Sequence, residues 1–309
     1  MAAKHLVAFL GGKREEYTKA EFIKKFNIPR DCLAGCHLTW NDLVSIAADY
    51  IGLRARVIDR ETELVNLFQK AIRDNDVKVI HSIRSRTKDP LHLVEKIIRK
   101  TNPSEENKSF AKYKNISIDN YTKFVTDLIG IRLLLRYRSD WEVLHNFILS
   151  KFENKESNYI KNYIDDYKVD KDMYIAEKPI AYICQGDINI YPRKKIKYAF
   201  GDRYRSIHYI VKYGEFYAEI QVRTVFQEGW SEIDHDNRYP YLLDDRSLDV
   251  FSKVFSSISA VADDMSETFV ELRTQTQQSR ILETNNKNTL TEATDSGSSV
   301  KENLIKSNI

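Results

Sequence analysis

At 309 residues the chain exceeds one typical domain, and 42% hydrophobic against 30% charged residues describe an ordinary globular protein with a sizeable core. A formal net charge of +3 is too small to argue for nucleic acid by itself. The three cysteines, Cys32, Cys36 and Cys184, form no disulfide framework and fit a reducing cytoplasm. Cys32 and Cys36 with His37 lack a second ligand pair at metal-site spacing, which argues against zinc. The apolar run Leu6–Leu10 is too short for a signal-peptide core or a membrane span, so a cytoplasmic protein with no membrane contact is expected.

Residues 1–38 read as an N-terminal extension, with a helix at Thr18–Phe26 ended by Asn27-Ile28-Pro29 and no assignable chemistry. From Thr39 the pattern is helical, capped by Thr39 or Asn41, with Leu43, Ile46, Ala47, Tyr50 and Ile51 at helical spacing. A second helical stretch is predicted over Asp59–Ile72. Val77–Lys88 reads as a strand that leaves the core and becomes cationic. Alternation puts Arg84, Arg86 and Lys88 on one side, where they suit either a bound phosphate or a solvated edge that discourages aggregation. Asp89-Pro90 opens a helix through LHLVEKIIRK, which adds Lys96, Arg99 and Lys100.

Residues 101–119 read as a polar loop. Ile129–Leu135 is nearly continuous apolar sequence, as expected of a central strand covered on both faces. Asp127 at its entrance and Arg132 within it are anomalous there, because a buried charge is costly unless paired. A structural salt bridge and a bound ligand each satisfy Arg132. For Asp127 a metal-ligand role competes, since a carboxylate at a strand end beside cations suits Mg2+. Ser139 to Glu142 carry a capping-box pattern starting a helix to about Phe152. Residues 153–180 read as an extended insertion, Ala181–Cys184 as a short strand and 193–197 (RKKIK) as a basic turn.

The stretch from Tyr204 to Tyr239 is the most informative. Tyr204–Tyr213 and Phe216–Thr224 flank Gly214-Glu215, a hairpin signal. Period-2 alternation places Glu219, Gln221 and Arg223 on one face of the second strand, and Tyr204, Ser206 and His208 on one face of the first. A polar ligand site and an ordinary hairpin with one wet face both satisfy this pattern. A helix over Val225–His235 follows, bringing Trp230, Glu232 and His235 near. Residues 241–281 read as a C-terminal amphipathic segment, its helix spanning Ser247–Arg280 with a stripe that includes Phe251, Val254, Ile258, Val261, Met265, Phe269 and Leu272. The remainder, 282–309, has the composition of a disordered tail.

The ordered set SRTK (85–88), EKIIRK (95–100), DLIGIR (127–132), YRSIHY (204–209), EIQVRT (219–224) and WSEIDH (230–235) resembles the synthetase domain of the RelA/SpoT family, which makes guanosine tetra- and pentaphosphate alarmones. The resemblance covers residues 77–240 within a domain placed at 39–240. It implies an α+β, nucleotidyltransferase-like fold, a mixed five-stranded sheet flanked by helices, here with extra N- and C-terminal helices. It implies transfer of pyrophosphate from ATP to the 3′-hydroxyl of GDP or GTP, releasing AMP. On matching positions, Asp127 and Glu219 would hold Mg2+, with Glu219 also placed to draw the proton from the attacking hydroxyl. Arg86, Lys88, Lys96, Arg99 and Arg132 would clamp the ATP phosphates. Tyr204 would stack on the acceptor base with His208 and Gln221 nearby.

Two positions depart from the family pattern. Asp202-Arg203 replace the usual Asn-Gly before Tyr204, with Phe200 in the place of a Lys that Lys197 or Arg203 would have to replace. His92 stands where a Ser is usual. These leave open another acceptor, an adenosine nucleotide or the 3′ end of tRNA, as in toxin relatives that are held by an antitoxin, and also a non-catalytic nucleotide sensor. No counterpart of the family's hydrolase domain is present, and a homo-oligomer is compatible with the sequence.

Overall fold

The computed structural model describes residues 5–10, 13–103, 110–152, 173–185, 187, 191, 196–238 and 242–306. The predicted insertion at 153–180 and the basic turn at 193–197 therefore lie largely outside the described residues. Two compact units are present, 1–260 and 261–309.

Within the first unit the N-terminal extension holds more structure than the sequence predicts. Strands β1 (Leu6–Leu10) and β2 (Lys13–Tyr17) pair antiparallel, followed by helices α1 (Lys19–Phe26) and α2 (Arg30–Gly35). Thr18 caps α1 through a reciprocal box with Glu21, and Asn27 ends it in the left-handed conformation at φ 50°. The two helical stretches predicted beyond Thr39 are one 34-residue helix, α3 (Trp40–Arg73), capped by Thr39 and Asp42. Nothing between them breaks a helix: Gly52 is the single weak position, and no proline interrupts.

The sheet is built from β3 (Ile80–Thr87), β4 (Ile129–Leu135), β5 (Met173–Ile175), β6 (Ile180–Cys184), β7 (Lys197–Gly201), β8 (Ser206–Tyr213) and β9 (Phe216–Thr224). Its order is β3-β4-β9-β8-β6-β7, with β5 paired to β8, so the mixed α+β class holds, but among the described residues the sheet has seven strands and not five. The extra strands add on the side away from β3. β4 and β9 run parallel at the centre, and the other pairings of these two strands are antiparallel. Helix α4 (Pro90–Thr101) begins with Pro90 behind an Asp89 cap, as predicted. The expected loop at 101–119 contains a short helix, α5 (Phe110–Tyr113), and α6 (Tyr121–Phe124) precedes β4. A single 3-10 turn, Arg138–Asp140, overlaps the predicted capping pattern at Ser139–Glu142 and leads into α7 (Trp141–Phe152). Helix α8 (Val225–Asn237) follows β9 directly.

One face of the sheet is apolar. Ile129, Ile131, Leu133, Ala218, Ile220, Val222, Ile207, Tyr209 and Val211 are all buried on it. The Tyr209 hydroxyl hydrogen-bonds Trp141 Nε1 at 2.9 Å, and His145 Nδ1 at 2.9 Å, so α7 closes this face without an orphaned polar group on the tyrosine. All the charge is sent to the other face.

The last helix, α9 (Arg246–Lys306), extends past 282, where composition predicts disorder, because Asn, Thr and Ser are weak helix formers but not breakers. Its first turns also invert the expected orientation. Ser252, Ser256 and Ser259 are buried, while the apolar residues Phe251 and Ile258 are 69% and 59% exposed.

The β8–β9 turn rests on Gly214, whose φ of +58° suits glycine, and a Cβ there would lie 2.8 Å from Arg60 Nε. Gly214→Ala is expected to destabilise the chain by about 1–2 kcal/mol through left-handed strain alone. A lowered midpoint in urea denaturation, with an unchanged m-value, is the expected result.

Candidate active site

The strand registers align the charged face into rows. Arg86, Gly130, Glu219 and Ile210 form one, and Arg84, Arg132, Gln221, His208, Ile180 and Lys197 form the next. Adjacent strands thereby set Arg86, Arg132, Glu219, Gln221 and His208 side by side, with Lys197 at the far edge.

Five side chains close a hydrogen-bonded ring on this face. Gln221 Nε2 donates to Glu219 Oε2 at 2.6 Å, and His208 Nδ1, the nitrogen facing the carboxylate, donates to Glu219 Oε1 at 3.1 Å. His208 Nε2, on the other side of the imidazole, hydrogen-bonds the Tyr204 hydroxyl at 2.9 Å. Arg223 Nη2 completes the ring, donating to the Tyr204 hydroxyl at 2.9 Å and to Gln221 Oε1. Burial pushes the Glu219 carboxyl up, and the field and hydrogen bond of His208 outweigh it, bringing its pKa down to about 2.

A second carboxylate, Asp127, stands at the entrance to β4. Lys88 Nζ donates to its Oδ2 at 2.7 Å, and Lys96 Nζ lies 2.8 Å from Oδ1. Lys88 arrives because its backbone N–H extends the β3–β4 ladder to Leu128 O at 2.9 Å, and Lys96 because it faces inward from α4. Burial pushes the Asp127 carboxyl up, but the two lysines hold it well below the usual carboxylate range. Burial also pulls the Lys88 ammonium down, an effect that nearby Lys96 and Arg86 reinforce. Burial acts on the Lys96 ammonium in the same direction, but the carboxylates of Asp127 and Glu219 outweigh it and push Lys96 up. Among the described residues no group of three or more His, Cys, Asp and Glu is arranged to hold a metal ion by itself.

A third carboxylate, Glu228 on α8, is 6% exposed and neutralises arginines from three strands. Arg84 and Arg132 hydrogen-bond its Oε1 at 3.1 and 3.0 Å, and Arg223 ion-pairs with Oε2 at 3.2 Å. Glu232, one helical turn on, also accepts from Arg84 and Arg132. The salt-bridge reading of Arg132 is therefore correct, and Glu228 is the partner that sequence reasoning missed. Its signal was the i,i+4 pair of glutamates on one face of α8.

Arg86 is exposed and, among the described residues, is held in no ion pair. Arg99 is bonded along its own helix to Glu95 at 2.8 Å. Tyr204 is not an open platform: Tyr182 meets its ring edge-on at 5.6 Å, Trp230 lies 6.2 Å away and the Arg223 guanidinium sits 5.4 Å from the ring centre. Tyr182, which also packs on His208 at 4.6 Å, was not picked out by the sequence pattern. Arg203 points elsewhere, pairing with Asp202 at 2.8 Å and Asp249 at 2.6 Å. His92 stacks edge-on against Phe26 at 5.1 Å.

Removing Glu228 would leave buried positive charge uncompensated, including Arg223, whose side chain is 2% exposed. Glu228→Ala is expected to destabilise the fold by about 3–5 kcal/mol in chemical denaturation. The pH dependence has a defined sign. With a folded pKa below its ordinary value of 4.5, Glu219 contributes stability that is complete above pH 4.5 and lost as pH falls through about 2. Urea midpoints measured down this range are expected to fall less steeply in Glu219→Gln than in the unaltered chain.

No helix among the described residues is long and apolar enough to cross a membrane. No curated protein matches the sequence. Among solved structures, the chain is similar to a GTP pyrophosphokinase family protein from Streptococcus pneumoniae, at 18% identity over 75% of this chain and 96% of that one, with a TM-score of 0.47. It is also similar to small alarmone synthetase 1 from Bacillus subtilis bound to its product pppGpp, at 17% identity over 72% of this chain and 95% of that one, with a TM-score of 0.42. The model of the region found in RelA / SpoT proteins matches residues 85–243, just over half of the chain, and takes in the ring and, but for Arg84, the rows and the arginine cluster. The chain belongs to the RelA/SpoT family.

Proposed function

We propose that this protein transfers the β,γ-pyrophosphate of ATP to the 3′-hydroxyl of a nucleotide acceptor, with GDP or GTP as the leading acceptors. The acceptor oxygen forms a bond to the β-phosphorus as the bond from that phosphorus to the α–β bridging oxygen breaks, and AMP leaves with that oxygen. The single observation that carries the reading is that Lys88 and Lys96 gather on Asp127 at the entrance to β4, while Glu219 and Arg86 share one row across the same strand at Gly130. Such transfer is limited by charge more than by bond making, so fixed cations and paired carboxylates are the needed parts.

The residues present fit Mg2+ brought with the nucleotide, because two ionised carboxylates plus phosphate oxygens are a common ligand set for that ion. Asp127 and Glu219 would hold it, and when bound it would add neutralising charge to the phosphates. Lys88 and Lys96 meanwhile hold Asp127 ionised and stand ready to turn toward phosphate oxygens. Arg86 is free to reach the polyphosphate, and Arg132 is held in place by Glu228 and Glu232. A carboxylate with a pKa near 2 is a weak proton acceptor. Glu219 therefore serves first as a fixed negative charge that orients the hydroxyl, receiving its proton only as the new bond forms. His208 behind it keeps that carboxylate in place.

A second reading has one observation in its favour. Arg203, one of the two candidates for the cation expected beside the acceptor, is tied to Asp202 and Asp249, which leaves Lys197 at the far edge of the His208 row. This supports the same transfer to another acceptor, an adenosine nucleotide or the 3′ end of tRNA, where an antitoxin partner would be expected.

Incubation with ATP labelled in its γ-phosphate, Mg2+ and either GDP, GTP, ATP or deacylated tRNA tests both readings. Label on GDP or GTP is the expected result, label on tRNA alone would replace it with the second reading, and label on none would defeat both. Glu219→Gln and Asp127→Asn are each expected to lower turnover by at least about 100-fold with the fold retained.

A further inference from the structure

The segment Asp202-Arg203-Tyr204-Arg205 has no strand or helix of its own; β8 begins one residue later, at Ser206. A segment outside the sheet ladder is located by whatever its side chains and carbonyls bond to. Here most of those bonds go to the first turns of α9. Arg203 Nη2 lies 2.6 Å from Asp249 Oδ1, and Lys253 Nζ lies 3.2 Å from Asp202 Oδ2 and 2.9 Å from Asp249 Oδ2. Ser256 Oγ donates to the Arg203 carbonyl at 2.5 Å and accepts from Arg205 Nη1 at 3.2 Å. Arg205 Nε is anchored on its other side by Asp187 at 2.8 Å. The helix is itself docked on α8: Trp230 Nε1 donates to the Ser252 carbonyl at 2.9 Å, and Ser252 Oγ donates to Asp234. This explains why α9 buries serines and leaves Phe251 and Ile258 outside.

We propose that Asp249, Lys253 and Ser256 are positioning residues for acceptor binding: they fix the backbone on both sides of Tyr204, and so set where the acceptor nucleotide sits. The inference rests on the function proposed above and on the family resemblance, which implies that Tyr204 lies beside the acceptor nucleotide. It also reassigns Arg203, from a ligand of the acceptor to a tether. Exposed ion pairs are individually weak, about 0–1 kcal/mol, but Arg203 is only 11% exposed and the contacts form a connected network. The two residues that replace the family's Asn-Gly are the two that the helix holds. Asp202-Arg203 and α9 thus act as a matched pair.

The test uses the full chain carrying Asp249→Ala with Lys253→Ala, and Ser256→Ala as a milder variant. Two measurements are made: amide hydrogen exchange over 202–205, and the KM for each substrate in the transfer assay. Faster exchange at 202–205 is expected, with the acceptor KM raised about 5–30-fold and both kcat and the KM for ATP within about 2-fold of the unaltered chain. Unchanged exchange would overturn the tether. Faster exchange with an unchanged acceptor KM would overturn the link to acceptor binding. A rise in acceptor KM for Arg203→Ala but not for the Asp249/Lys253 variant would return Arg203 to a direct ligand and overturn the proposal. If the unaltered chain transfers label to no acceptor, the proposed function falls and the acceptor-positioning role falls with it, while exchange at 202–205 still separately judges the helix contact.

Discussion

Glu219 accepts from Gln221 on one side and from His208 on the other, and those two are joined again through Arg223 and Tyr204. The ring closes only because β8 and β9 are paired with His208 opposite Gln221. A slip of one residue would carry Glu219, Gln221 and Arg223 to the apolar face and bury three polar groups without partners. Register and site chemistry are therefore one constraint. The apolar residues Ala218, Ile220 and Val222 hold the alternation that keeps Glu219 on the wet face.

Charge balance governs the rest of that face. Cations on β3, β4 and β9 are close enough to repel, and each cluster is assigned a carboxylate from elsewhere: Asp127 for Lys88 and Lys96, and Glu228 with Glu232 for Arg84, Arg132 and Arg223. These acids stabilise the face by offsetting its positive charge. Arg84 and Arg86 are its exposed members.

Much of this was legible from the residues in order. The β4 strand followed from a nearly continuous apolar run, the hairpin from alternation around Gly214, and the singling out of Asp127 and Arg132 from their misfit with that run. Helix α4 and its Asp89-Pro90 start followed from local capping chemistry. Glu228 was overlooked because a glutamate on an amphipathic helix is ordinary until three arginines from other strands are seen to meet it. Tyr182 was hidden for the same reason, since it belongs to a strand that reaches β8 only across the sheet.

The C-terminal helix marks the boundary most sharply. Periodicity alone determined that residues from Ser247 onward form a helix with one apolar and one polar side, because the 3.6-residue repeat is a local property of the chain. Which side is covered is not local. The tertiary structure decided it, because Trp230, Asp234, Arg203 and Arg205 present donors and acceptors that only the serine side can satisfy. In the same way, composition determined which strands carry charge, while the pairing of strands distant in sequence decided which charges neutralise one another.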